Sequence, residues 1–570
     1  MSSSSLKSTS RSSFCLIFAG LFAIIVAGCS PKWQLASLEP AAPSFEADSG
    51  MVVAAHPLAA EAGVSVLRDG GNAIDAAIAT LFVLNVVEPH ASGLGGGGFA
   101  LVRMADGDAK VVDYRDRAPR SIDTAFYYDP LDTLKRMRHG GTSVCVPGAA
   151  SGWAELFDGW ATMPLGRLTR DAIKYAEEGF PVSPGLASMI ASYTEGLFSQ
   201  DSLLAGIFLR DGAPLIAGDT LRQANLAATF RGLTTRGLRS FYRGPVAESI
   251  VEAVRADSGT MSLEDLEFYR ADVVEPIRGK FQSYDLLTVP PPSMGGPALI
   301  EALNLVQLTD ATKTGMGTPE TIHLVAQCIQ QAYADAEARV GDPHLVKTNW
   351  REMLTPEFAA KAMSGISLDA KPAPRTAVAP SVVNIGNTTH LVVADRSGNV
   401  ISITQSINYF FGAGVMAGNT GILLNNQMAD FGAMPDTLNI IRPKARPRSN
   451  MTPLIVLAND LPLLIVGTPG ASRITSTVAQ ITLNVLVGRM DLNAAVDFPR
   501  FFPIGEHLVL ETRFTKPTVE WLHKKGYQLH LNPGPYNQYF GGAHAIAISR
   551  NTGKMLGAAD KRRGGAARGF

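Results

Sequence analysis

Thr388-Thr389-His390-Leu391-Val392-Val393-Ala394, then Asp395-Arg396-Ser397-Gly398-Asn399, then Val400-Ile401-Ser402-Ile403-Thr404-Gln405-Ser406 is the stretch that decides the fold class. Two β-branched, apolar runs flank a cluster of turn formers, the pattern of an antiparallel hairpin. If Ala394 faces Val400 across the turn, Thr388 lies opposite Ser406, with Asn408 near the same end. Taken alone, two facing hydroxyls are an ordinary polar cross-strand pair.

Other segments repeat this alternation. Residues 453–458 and 463–467 read as a strand pair, and 543–549 and 554–558 flank Asn551-Thr552-Gly553 as a hairpin. Residues 57–68 read as a helix stopped by Gly70-Gly71. Asn72 then caps a second helix that runs to about Val87 and is apolar almost all round, so it is expected to be buried. Residues 150–370 read as mostly helical, 371–381 as an exposed loop, and 474–487 as a helix. Strand hairpins covered by helices predict a layered α/β architecture.

Gly93-Leu94-Gly95-Gly96-Gly97-Gly98 matches the dinucleotide-binding pattern literally. That motif needs a strand before it and a helix after it. Here a helix precedes it, and 99–104 with 109–114 reads as a hairpin around Ala105-Asp106-Gly107-Asp108. Close backbone packing at the entry to a buried strand is the better account.

The chain has 570 residues, 46% apolar and 18% charged, with 50 Lys plus Arg against 51 Asp plus Glu. A formal charge of −1 gives no support for nucleic-acid binding. Lys7 and Arg11 precede an apolar run over residues 14–26 that ends in Val26-Ala27-Gly28-Cys29. This resembles a bacterial lipoprotein signal over residues 1–28, with Cys29 lipidated, residues 29–50 as a tether, and an outer-membrane, periplasm-facing location. An ordinary cleaved signal with an incidental cysteine is the other reading. Cys145 and Cys328 lie outside this segment and in no metal-ligand spacing, so no metal and no cofactor is called for.

Two further groups carry chemistry. Gly470-Ala471 falls between a strand ending near Gly467 and a helix starting near Arg473, where backbone N–H groups can stabilise an oxyanion. Asn425-Asn426-Gln427-Met428-Ala429-Asp430-Phe431 packs polar groups beside an expected apolar strand over 421–424, and Asp430 could pair with a substrate ammonium. Taken alone, turn building is the better account of the same residues.

With these segments in order, the chain resembles the γ-glutamyltransferase family from residue 50 onward. The resemblance is carried by Gly70 to Ala77, Gly93 to Phe99, Tyr114-Arg115-Asp116-Arg117-Ala118-Pro119, Val146-Pro147-Gly148, Pro290 to Gly296, Tyr333-Ala334-Asp335 and Gly341-Asp342-Pro343. It continues through Thr388-Thr389-His390, Phe411-Gly412, Gly421 to Phe431 and Thr468-Pro469-Gly470. It implies an αββα sandwich of the N-terminal-nucleophile hydrolases and a precursor cut between Asn387 and Thr388. The products would be a large subunit, 51–387, and a small catalytic subunit, 388–570, held as a heterodimer.

The same resemblance implies the site. Thr388 is the nucleophile, Ser406 the hydroxyl beside it, and Gly470 and Ala471 the oxyanion donors. Arg115 and Ser449 hold the donor α-carboxylate, and Asp430 with Asn408 and Gln427 the α-ammonium. The expected donors are glutathione-like γ-glutamyl compounds, and the acceptors water, amino acids or peptides.

Three departures stand out: Asn450 where the family usually has a second serine, Ala471 where it has a second glycine, and a short stretch from Phe431 to Arg446 where other members carry a long lid. They keep open a related acylase for glutaryl-type amides or poly-γ-glutamate. A lipoprotein scaffold that has lost catalysis is opposed by the joint presence of Thr388, Arg115 and Asp430.

Overall fold

The computed structural model describes residues 45–128, 133–372, 386–432 and 438–570. The signal segment, Cys29, most of the expected 371–381 loop and part of the short lid stretch lie outside these residues.

The strands that matter are, in chain order, β1 (Phe45–Ala47), β2 (Gly50–Ala54), β3 (Gly97–Arg103), β4 (Ala109–Asp113), β5 (Asp272–Val274), β6 (Ile277–Phe281) and β7 (Tyr284–Thr288). They continue with β8 (Thr389–Asp395), β9 (Val400–Ser406), β10 (Leu454–Ala458), β11 (Leu461–Gly467), β12 (His544–Ile548), β13 (Met555–Ala559) and β14 (Ala566–Gly569). They build two seven-stranded sheets, ordered β14-β2-β8-β9-β3-β4-β5 and β1-β13-β12-β11-β10-β7-β6.

Period-2 alternation makes the layers. On β8, Leu391 and Val393 join the core on the outer face, whereas Val392 and Ala394 pack between the sheets. The outer core holds helices α1 (Pro57–Arg68) and α2 (Ala73–Val87); the second sheet is covered by α3 (Gly295–Gln307), α4 (Pro319–Arg339) and α5 (Ile474–Leu486). The result is the expected helix–sheet–sheet–helix sandwich.

Local chemistry sets the element that backs the site. Asn72 accepts from the N–H groups of Ile74 and Asp75, and the Asp75 carboxylate accepts from the Asn72 N–H, a complete capping box. Every residue of α2 is buried, as its unbroken apolar face requires. The glycine run after it is steric: a Cβ on Gly95 would lie 1.9 Å from the Leu423 carbonyl oxygen, and one on Gly96 2.1 Å from that of Ser406.

Three expectations need correction. Phe45–Ala47 and Gly50, inside the stretch read as a tether over 29–50, are already strand residues of the fold, because β1 pairs with β13 and β2 starts at Gly50. Residues 421–424 form no strand; Met416 and Leu423 make only an isolated bridge, since Gly421 at φ 73° turns the chain there. Inside the mostly helical 150–370 stretch, β5 extends the first sheet, and β6 and β7 close one edge of the second. Cys145 and Cys328 lie in separate core clusters and no disulfide joins them.

Candidate active site

The hairpin register fixes the centre of the site. Ala394 pairs with Val400 and Thr389 with Gln405, so Thr388 sits opposite Ser406. In the uncut chain the Thr388 Oγ1 donates to the Asn387 carbonyl oxygen at 2.7 Å and lies 3.4 Å from the Ser406 Oγ. Ser406 donates to the same carbonyl at 2.5 Å. Its oxygen accepts the Asn408 N–H at 2.7 Å, so its own proton is directed at the carbonyl. Asn408 adopts φ 78°, a left-handed conformation that asparagine tolerates better than most residues.

Asn387 is gripped from several sides. Its N–H donates to the Asn408 carbonyl at 2.7 Å, and its Nδ2 to the His90 carbonyl at 3.1 Å. Its Oδ1 accepts from the Thr388 N–H at 3.0 Å and from Arg563 Nη1 at 2.8 Å. The scissile bond opens on a cavity of about 460 Å³ that Asn387 and Thr388 line with Glu88, His90, Phe410, Pro469, His544 and Arg563.

The turn after β11 approaches the same place. Gly386 packs so closely on Ala471 that a Cβ on Gly386 would lie 2.8 Å from the Ala471 Cβ. Gly470 has φ 142° and Ala471 φ 50°. Neither N–H has an acceptor among the described residues, so both are available to an oxyanion. Keeping an alanine in the left-handed region costs about 1–2 kcal/mol.

Arg115, Asp430, Gln427 and Ser449 form a second group. The Arg115 side chain is 1% exposed. Its Nη2 meets Asp430 Oδ2 at 2.5 Å, and its Nε and Nη2 bond the carbonyls of Pro447 and Arg448, just before Ser449. Burial pushes the Asp430 carboxyl up, opposed by Arg115 and by a hydrogen bond from Asn408. Asn408 therefore links the two groups, touching Ser406 on one side and Asp430 on the other.

The Arg115 Nη1, 4.0 Å from the Asp116 carboxylate, and both amide atoms of Gln427 are buried without a hydrogen-bond partner among the described residues. Unsatisfied buried polar atoms of this kind are costly and mark a place for a ligand. Ser449 accepts the Met451 N–H through its Oγ, while Asn450 is bound through its carbonyl by Thr452. The sequence reading missed Glu88, His90 and Arg563, because a Glu-Pro-His turn after a helix and a paired arginine near the C-terminus carry no signal of their own.

An αββα sandwich with a threonine hydroxyl at the head of a central strand, aimed at the preceding carbonyl, defines an N-terminal-nucleophile hydrolase. The family model for gamma-glutamyltranspeptidase matches residues 59–570, and the chain belongs to that family. It is a γ-glutamyltransferase-type enzyme. The chain is 37% identical over 545 residues to a glutathione hydrolase proenzyme of Bacillus subtilis (strain 168), covering 91% of each. It is 34% identical over 518 residues to the acylase ACY 1 proenzyme of Pseudomonas sp. (strain SE83), covering 90% of this chain and 91% of that one. The crystal structure of a cephalosporin acylase from Bacillus halodurans superposes with a TM-score of 0.85 at 28% identity, covering 95% of this chain and 99% of that one.

Proposed function

We propose that the chain is a proenzyme that cuts itself between Asn387 and Thr388 and then moves γ-glutamyl groups from glutathione-like amides to water, amino acids or peptides. The observation that carries this reading is the convergence of the Thr388 and Ser406 hydroxyls on the Asn387 carbonyl, at 2.7 and 2.5 Å. Thr388 Oγ1 attacks the carbonyl carbon, and Ser406 supports the negative oxygen. The C–N bond breaks as the Thr388 nitrogen takes up the proton that Oγ1 gives up, leaving an ester that water resolves. The freed α-amine, with an ordinary pKa of about 7.7–8.0, then serves as base toward its own hydroxyl.

In the mature heterodimer of residues up to 387 with 388–570, Thr388 forms a γ-glutamyl ester and releases the amine. Gly470 and Ala471 donate to the oxyanion. A guanidinium and a carboxylate side by side, Arg115 and Asp430, suit the α-carboxylate and α-ammonium of an amino-acid donor, with Gln427 and Ser449 completing the pocket. A mass spectrum of the purified chain under denaturing conditions tests the first half of the reading. Two fragments meeting at Asn387/Thr388 are expected; a single chain that stays uncut on long incubation defeats it.

A second reading, an acylase for glutaryl-type amides, is favoured by Asn450 and by the likeness to a cephalosporin acylase. Release from γ-glutamyl and glutaryl anilides separates the two, because only the first offers an ammonium to Asp430. Lipidation at Cys29 and display on the periplasmic side of the outer membrane complete the proposal. Membrane release on Cys29→Ala, with the enzyme still exported, is the expected result.

A further inference from the structure

Glu88, which caps the C-terminal end of α2, has no role in the acyl transfer proposed for Thr388. Its Oε2 accepts the Thr389 hydroxyl at 2.7 Å, one residue beyond the scissile bond. No donor among the described residues reaches its other oxygen, and Glu88 lines the cavity shared by Asn387 and Thr388. His90, two residues on, holds the Asn387 side chain through its carbonyl. The ring nitrogen Nδ1 of His90 has no hydrogen-bond partner among the described residues, so the cavity wall offers water an unsatisfied polar group.

We propose that Glu88 is the general base that drives water onto the Asn387–Thr388 ester, the second step of the self-cleavage on which this inference rests. The carboxylate takes a proton from water as the water oxygen bonds to the Asn387 carbonyl carbon. The tetrahedral centre then expels Thr388 Oγ1, which takes that proton back from Glu88. One water is consumed, and the products are the Asn387 carboxylate and a Thr388 with a free hydroxyl, the second water proton passing to the Thr388 amine or to solvent.

The charges around the cavity suit this role. Burial raises Glu88 to about 7, against the Thr389 hydrogen bond and the cationic Arg563. The other titratable groups lining the cavity do not change state near neutrality. Burial holds His56 and His544 down near 4 and His90 near 3, so all three are neutral. Arg563 is lowered by burial to about 10 and stays charged, and Arg562, held by Asp560 and Glu511, is raised. Glu88 is thus the lining group, among the described residues, that exchanges a proton between about pH 6 and 8, where a general base works best.

The test uses the full chain, with self-cleavage followed by denaturing mass spectrometry and hydroxylamine as the trap. Hydroxylamine attacks esters and leaves ordinary peptide bonds intact, so it splits the intermediate at 387/388 and marks Asn387 as a hydroxamate. The wild-type rate is expected to rise through pH 7 and then level. Glu88→Gln is expected to cut about 100-fold more slowly at pH 8, to lose that inflection, and to remain a single chain that hydroxylamine splits. Glu88→Asp, which keeps a carboxylate, should recover part of the rate.

Cleavage of Glu88→Gln at the wild-type rate, or a natively folded Glu88→Gln that is uncut and insensitive to hydroxylamine, overturns the role of Glu88. If that variant does not fold, Glu88→Asp decides: a wild-type rate or a profile flat from pH 6 to 8 overturns it. A wild-type chain that neither cuts nor yields to hydroxylamine removes the self-cleavage reading itself, a result distinct from all of these.

Discussion

Replacing Ser406 by alanine removes one hydroxyl from the hairpin and leaves the Thr388 hydroxyl in place. In the uncut chain Ser406 donates to the Asn387 carbonyl at 2.5 Å, and the Asn408 N–H at 2.7 Å fixes its orientation. When Thr388 Oγ1 bonds to the carbonyl carbon, that oxygen acquires nearly a full negative charge, and the neutral hydrogen bond becomes charge-assisted. Loss of one donor to an oxyanion costs about 2.7–4 kcal/mol, or about 10²–10³ in rate. Ser406→Ala should therefore lengthen the half-time of self-cleavage by about that factor. Ser406→Thr, which retains the donor, should stay within about tenfold of wild type, since a β-methyl costs less than a lost oxyanion bond. The assay is the fraction of uncut chain against time in denaturing mass spectra. Thermal unfolding run in parallel registers the orphaned Asn408 N–H, which costs about 1–3 kcal/mol of stability by itself. Cleavage of a folded Ser406→Ala at the wild-type rate, or equal slowing in the threonine variant, would refute the argument that this hydroxyl carries the developing charge.

Thr388→Ala should give one uncut chain with no γ-glutamyl anilide activity, and normal processing in that variant would place the nucleophile elsewhere. Arg115→Lys keeps the charge but loses the fork that bonds Asp430 and two carbonyls, so KM for a γ-glutamyl donor should rise far more than kcat falls; unchanged kinetics removes Arg115 from the pocket. Ala471→Gly relieves a left-handed alanine at φ 50° and should leave stability equal or raised by up to about 1 kcal/mol, read from the unfolding midpoint.

Glu301 gives a pH-dependent case. It is fully buried on α3, and burial, then the neighbouring Asp335 carboxylate, raises it from 4.5 to about 10. The folded protein keeps a proton that the unfolded chain releases above 4.5, so stability falls as pH rises from there towards 10. At pH 7.5 the penalty is about 4 kcal/mol. Glu301→Gln should therefore raise the unfolding midpoint by about 4 °C at pH 7.5. That gain should shrink towards zero as the pH falls well below 4.5, where Glu301 is protonated in both states; an equal gain at both pH values rejects the linkage.

The sequence by itself determined whatever short-range rules control. The turn residues 395–399 and the alternation on either side set the pairing of Ala394 with Val400, and with it the meeting of Thr388 and Ser406. Asn72 and Asp75 fixed the start of α2, and crowded backbones at Gly95 and Gly96 explain a glycine run that mimics a nucleotide loop. Only the tertiary structure decided which distant groups surround the scissile bond. Arg115 finds Asp430, 315 residues away, and Asn387 finds Arg563, 176 residues away. It also decided that β6 and β7, short strands in a stretch that reads as helical, belong to the second sheet. The physical reason is that strand register follows from a period of two and one turn, both written within a few residues. Neighbours across a stack of sheets and helices depend on how whole layers dock, and the local pattern at Glu88 or Arg563 is the same whether or not anything docks against it.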